Sequence, residues 1–194
     1  MARRSDHTPE QLRQLILTEA HRHLAEGGYA AFSAREVARR IGYSVGTIYN
    51  VFGSLDRLLF EVNTITFQMW ADLIEERLAP QSDRLDALVD GYFEFAASHR
   101  NLWEAIWAHQ WPSDQEPPEA AARDRSRLTG IVVTEVAATL PQSRREEAEQ
   151  LARSLIATVH GHCDYALSGA FALMGEKDPV DLAKKRVRSA FERL

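Results

Sequence analysis

The chain is nearly free of cysteine and, over one long stretch, free of acid, and each absence removes a class of function. Cys163 is the single cysteine in 194 residues, so an intrachain disulfide, a thiolate zinc cluster and a CxxC redox pair are all excluded. No apolar run approaches the roughly 18 residues of a membrane span. The opening Met-Ala-Arg-Arg-Ser leads into polar sequence, not into an apolar signal segment. A cytoplasmic protein with no membrane partner is therefore the expectation. A nucleophile elbow, a P-loop, a zincin motif and a dinucleotide fingerprint are also missing, which argues against an enzyme and leaves no cofactor to expect. Strand-type alternation of apolar and polar residues is absent too, so the periodic signal points to an all-α fold.

The charge present is unevenly spread. The net charge is −5, yet residues 1–62 hold eight arginines against seven acids, while 63–194 hold fifteen basic and twenty-one acidic side chains. From Val37 through Leu55 there is no carboxylate, which suits a surface that meets a polyanion once a motif stands beside it. The length fits a small head and a larger body.

Helix signals place that motif. Thr8, Pro9 and Gln11 form a capping-box start, Leu12, Leu15, Ile16, Ala20 and Leu24 share a face, and Gly27-Gly28 stops the helix. A second capping box, Ser33-Ala34-Arg35-Glu36, opens a short helix that Gly42 ends. Ser44 caps a third over 45–51, and after Gly53-Ser54 a long apolar-periodic helix runs from Leu55 to about Leu78. At 1.5 Å per residue that fourth helix spans roughly 36 Å, enough to link head and body. Further helices are expected over 83–97, 99–110, 119–139, 144–173 and 179–194, with Trp111 to Pro118 as a loop.

Two short helices joined by a tight glycine-containing turn make a helix-turn-helix, whose second helix enters the DNA major groove. Its first turn must present small or hydrogen-bonding groups, because base edges are reached there; Ser44, Val45, Gly46 and Thr47 meet that need. Tyr43 and Tyr49 offer hydroxyls to phosphates, and Arg35, Arg39 and Arg40 supply charge. Arg3 and Arg4 can reach the minor groove as an arm. Ser33 and Ser44 are equally readable as ordinary caps, Tyr49 as core, and the arginines as a solvated face.

The run Phe32-Ser33-Ala34-Arg35-Glu36-Val37-Ala38-Arg39-Arg40-Ile41-Gly42-Tyr43-Ser44-Val45-Gly46-Thr47-Ile48-Tyr49-Asn50-Val51-Phe52-Gly53-Ser54 resembles the DNA-binding head of the TetR family of repressors. Gly46-Thr47-Ile48-Tyr49, with Phe52 three residues later, is the most specific part of the match. The resemblance implies a helical homodimer. Three N-terminal helices, 1–54, would bind a double-stranded operator; the body, 55–194, would bind the partner subunit and a small-molecule effector that releases the repressor. It carries Thr47 and Tyr49 to positions that touch DNA, and Ser33 and Ser44 to helix starts that bond phosphates. Two positions depart from the family: Leu55 stands where a lysine is usual, and Val51 where His or Tyr is usual. Those departures shift backbone affinity onto Arg35, Arg39 and Arg40, and they keep open a helical binding or enzymatic protein that has lost DNA binding.

In the body, Ala157-Thr158-Val159-His160-Gly161 resembles the His-Gly signature of one TetR C-terminal subclass. Leu151, Leu155, Val159 and Cys163 form one apolar face of that helix, which Ile156, Leu167, Phe171 and Met174 widen. With Ala183, Val187, Ala190, Phe191 and Leu194 on the closing helix, either a four-helix dimer seam or intrachain core accounts for them. Trp103, Trp107 and Trp111 recur at i, i+4 and i+8; with Trp70, Phe93, His109 and His160 they line a ligand pocket or fill a core. His160, Cys163 and Asp164 share a face, with buried core the commoner meaning than a metal site, so no metal is expected.

Overall fold

The computed structural model describes residues 7–79, 82–112, 116 and 119–192, of which 119–122 carry no side-chain description. Arg3, Arg4, Leu194 and most of the Trp111–Pro118 loop lie outside the described residues. The regular structure among the described residues is helical: α1 (Pro9–Gly27), α2 (Ala34–Ile41), α3 (Val45–Phe52), α4 (Leu55–Leu78), α5 (Arg84–Ser98), α6 (Arg100–Ala108), α7 (Glu119–Thr139), α8 (Ala148–Leu167), α9 (Ala170–Leu173) and α10 (Pro179–Glu192), with 3-10 turns at Tyr29–Ala31 and Gln142–Glu147. None of these helices is long and apolar enough to cross a membrane.

The chain forms two compact units, one of residues 1–66 with 99–122 and one of 67–98 with 123–194. In the first, α1 begins at the expected capping box: Thr8 Oγ1 accepts from Gln11 N–H at 3.2 Å and Gln11 Oε1 accepts from Thr8 N–H at 2.8 Å. Its apolar face supplies Ile16, Leu17, Ala20 and Leu24 to a core that Val37, Ala38, Ile48, Phe52, Leu58 and Val62 complete, together with Leu102 and Ala105 of α6. Burying those side chains fixes which sides of α2 and α3 are left outward. Asn63 of α4, fully buried, donates to Ala105 O at 3.3 Å.

In the second unit, Trp70 stacks on Phe95 at 4.7 Å and meets Tyr92 edge-on at 4.7 Å. α10 packs on α8 and α5, burying Ala152, Leu155, Val159 and Cys163 with Ala183 and Val187. The helix expected over 144–173 is not continuous. A 3-10 turn precedes α8, and α8 stops at Leu167 because Gly169 turns left-handed (φ 80°), the glycine conformation that commonly closes a helix. The helix expected over 99–110 ends at Ala108, so Trp111 is not its third stripe member.

Candidate nucleic-acid interface

The turn that sets α3 is built by backbone bonds. Gly42 takes φ 76° and ψ 25°, and Tyr43 N–H reaches back to Ala38 O at 2.9 Å, a Schellman-type end that glycine makes without steric cost. Tyr43 is thereby fixed at the backbone, and Ser44 follows as the cap of α3. Its Oγ accepts from Thr47 N–H at 3.3 Å and lies 3.0 Å from Thr47 Oγ1.

Along α3, Ile48 and Phe52 point into the core, 1% and 4% exposed. The opposite side holds Ser44, Gly46, Tyr49 and Asn50, all exposed, with Thr47 half-buried beside them, while Val45 is half-buried against the head core. Tyr49 is 43% exposed, so it is a surface side chain and not core. Asn50 belongs to this surface and was not singled out from sequence, although its i+4 spacing from Gly46 signals it. Val51 and Leu55, which depart from the family pattern, are partly buried against the head core.

The arginines differ in how far they are committed. Arg40, its side chain 24% exposed, donates to Glu26 at 2.7 Å, Glu36 at 3.0 Å and Glu19 at 3.3 Å. Those carboxylates raise its pKa and tie α2 to α1. Arg40, expected as a phosphate contact, is committed to these three carboxylates within the head. Arg39 pairs with Glu36 at 2.6 Å but is 71% exposed. Hydrogen bonds from Arg39 first and Arg40 second hold the Glu36 carboxyl down at about 2. Arg35 is exposed and enters no ion pair among the described residues, and the same holds for Arg57, one turn into α4. Ser54 Oγ caps the start of that helix, accepting from Arg57 N–H at 3.1 Å.

Ser33 caps α2 by accepting from Glu36 N–H at 3.3 Å. The reciprocal half of the expected capping box is absent: Glu36 turns to the arginines, and Ser33 N–H goes to His23 Nε2 at 3.3 Å. His23, buried at 7% exposure, is thus a structural partner that local sequence spacing does not reveal. His7 is another, with Nδ1 2.8 Å from the Tyr43 hydroxyl.

The residues expected to line a ligand pocket divide between the units. Trp103, Trp107, His109 and Trp111 belong to the first; Trp70, Phe93 and His160 belong to the second. In the first, Trp103 is buried, Trp107 is 42% exposed, His109 Nε2 lies 3.5 Å from Asp56, and Trp111 packs edge-on against Phe60 at 4.8 Å. In the second, His160 Nδ1 lies 2.9 Å from the hydroxyl of Tyr92, whose ring meets Trp70, and Phe93 is half-buried. Burial lowers the His160 pKa and pushes the Cys163 thiol up to about 12, so that thiol stays protonated at neutral pH. No group among the described residues is arranged to hold a metal ion. A cleft of about 430 Å³ in the second unit is bordered by Glu75, Leu78, Arg84, Ile131 and Glu135, and none of the expected ligand residues lines it.

Comparison with known proteins agrees with this geometry. Residues 16–62 match the family model described as bacterial regulatory proteins, tetR family, and 85–189 match the one described as Tetracyclin repressor-like, C-terminal domain. An HTH-type transcriptional regulator of Mycobacterium tuberculosis is 25% identical over 134 residues, covering 66% of this chain and 57% of that protein. The HTH-type transcriptional regulator BetI of Cronobacter sakazakii is 30% identical over 135 residues, covering 65% of this chain and 64% of its own length. The chain thus spans less than two thirds of these curated relatives. A solved structure from Rhodococcus sp. RHA1, of a protein with unknown function, shares the fold with a TM-score of 0.70 at 23% identity, covering 100% of this chain and 98% of its own.

Proposed function

Because the chain belongs to the TetR family of helix-turn-helix transcriptional regulators, we propose that it is a repressor that binds a pseudo-palindromic operator as a homodimer and leaves it when a small-molecule effector binds. The observation that carries this reading is the outward side of α3: small and hydrogen-bonding groups at its first turn, no acid along it, and a buried opposite side that holds it in place. Thr47, flanked by Ser44, Val45 and Gly46, reads base edges; Tyr43, Tyr49, Arg35 and Arg39 hold phosphates together with Ser33. Arg40 serves by steadying α2. Residues 1–54 are the DNA-contacting portion and 55–194 the portion that dimerises and binds effector.

Two recognition helices of a dimer meet successive major grooves about 34–36 Å apart. The apolar side chains left exposed near the end of α8, Tyr165, Leu173 and Met174, support a second copy as the partner of that surface. An effector releases the operator only if it binds the two conformations with different affinity. The path for that coupling is α4, whose helix is unbroken from Leu55 to Leu78. No catalytic step is needed.

Selection of bound sequences from a random duplex library, followed by titration of the winner at several salt concentrations, tests the reading. A palindromic consensus whose affinity falls steeply with salt is expected, since neutralised phosphates release counterions. No enrichment, or affinity indifferent to salt, overturns it.

A further inference from the structure

His7 and Tyr43 are 36 positions apart in sequence and joined by one hydrogen bond, Nδ1 to hydroxyl, at 2.8 Å, with ring centroids 6.1 Å apart. Both ends are anchored at the backbone. His7 immediately precedes Thr8, whose side chain and carbonyl close the first turn of α1; Tyr43 is pinned by its N–H to Ala38 O. The bond therefore ties the start of α1 to the turn that presents α3. Neither side chain belongs to the head's buried core, so the contact adds little to packing and sits at the surface proposed to face the duplex.

We propose that His7 is a positioning residue for DNA binding, holding the Tyr43 phenol with its proton turned toward a phosphate oxygen. The inference rests on the reading of α2 and α3 as a duplex-binding surface. Its chemistry follows from the donor inventory of the two groups. A neutral imidazole bonded through Nδ1 either accepts the phenol proton or donates its own. If it accepts, the hydroxyl has no proton left for another partner. If it donates, the Tyr43 oxygen accepts from His7 and the phenolic proton is free to bond an anionic oxygen. An approaching phosphate selects the second arrangement, because charge-assisted hydrogen bonds are the stronger ones. The imidazole supplies both the orientation and the switch of donor, with no covalent change.

The test is a double-mutant cycle on affinity for the selected duplex, read by fluorescence anisotropy, with thermal unfolding measured on each variant. His7→Ala is expected to weaken binding about fivefold, the effect of one lost hydrogen bond, and Tyr43→Phe by a similar factor. The double variant should bind no more weakly than Tyr43→Phe alone. His7→Asn, which keeps an amide N–H close to the place of Nδ1, should recover most of the affinity, whereas His7→Gln, whose amide reaches further, should not. Unfolding midpoints should be unchanged throughout. Wild-type affinity in His7→Ala, or a loss that persists undiminished in the Tyr43→Phe background, overturns the proposal. Should His7→Ala unfold early, Asn against Gln at equal midpoints decides, and equal affinity for those two overturns it. A wild-type protein that binds no duplex fails at the interface reading itself, an outcome distinct from one that binds DNA without heeding His7.

Discussion

The outward side of α3 and the exposed surface around the end of α8 and α9 leave different chemistry in solvent. On α3 the exposed groups are Ser44, Gly46, Tyr49 and Asn50. Near the end of α8 they are Tyr165 at 50%, Leu173 at 92% and Met174 at 70% exposure. Small hydrogen-bonding groups suit a partner that is hydrated and anionic, because they give up water only for equivalent bonds. Large apolar groups suit a partner whose surface is also apolar, because only its approach removes them from water. One chain thus carries two surfaces that cannot exchange partners.

That contrast can be broken first at its foundation. Ile48→Ala removes the side chain that seats α3, and the loss should be about 2–5 kcal/mol, read as a drop in unfolding free energy in denaturant. If stability is unchanged, the outward side of α3 is not set by the packing beneath it. The apolar surface is attacked by Leu173→Glu with Met174→Glu. Sedimentation should show the population moving to monomer, and operator affinity should fall by about a hundredfold as the two heads lose their linkage. A dimer that survives both charges would place its seam elsewhere.

The comparison is sharpened within the head by Arg35→Ala and Arg40→Ala. The first should flatten the salt dependence of operator binding by about one unit of slope per protomer at an unchanged melting temperature. The second should lower the melting temperature, since Glu19, Glu26 and Glu36 lose a shared partner. An exchange of these phenotypes would reverse their assignment. The smallest effect concerns acid. The folded Glu36 carboxyl sits at about 2 against an ordinary 4.5, so its stabilising ion pairs are complete at neutral pH, shrink as pH falls below 4.5 and are gone near 2. Wild type should exceed Glu36→Gln slightly at pH 6 in thermal unfolding, with the gap closing toward pH 2; a gap that persists there would refute the pairing.

What could be read from sequence was what depends on neighbours along the chain. The Thr8–Gln11 box, the cap at Ser44 and the glycine turn at Gly42 all follow from spacing, and the structure has each of them. The end of α6 was also legible, as a helix closing at 110 before a loop from Trp111, against Ala108 in the structure. Trp111 precedes Pro112, and a residue before proline is turned away from helical geometry. Gly169 gave a similar local signal for the end of α8. What remained hidden were partners far apart in sequence: Arg40 with Glu19 and Glu26, Ser33 N–H with His23, Tyr43 with His7. A capping motif at Ser33 cannot disclose that its glutamate is contested by two arginines, because propensity carries no record of which charges folding brings near.

The containment of Arg40 bears on how a transcriptional regulator of this design would find its target. Attraction to any stretch of double helix scales with the number of unspent positive groups; among the described residues of the head Arg40 is already spent on carboxylates, and residues 63–194 carry more acids than bases. If the head binds DNA as proposed, residence on decoy sequence is expected to be brief. Discrimination would then be gained by weakening the wrong encounters as much as by improving the right one.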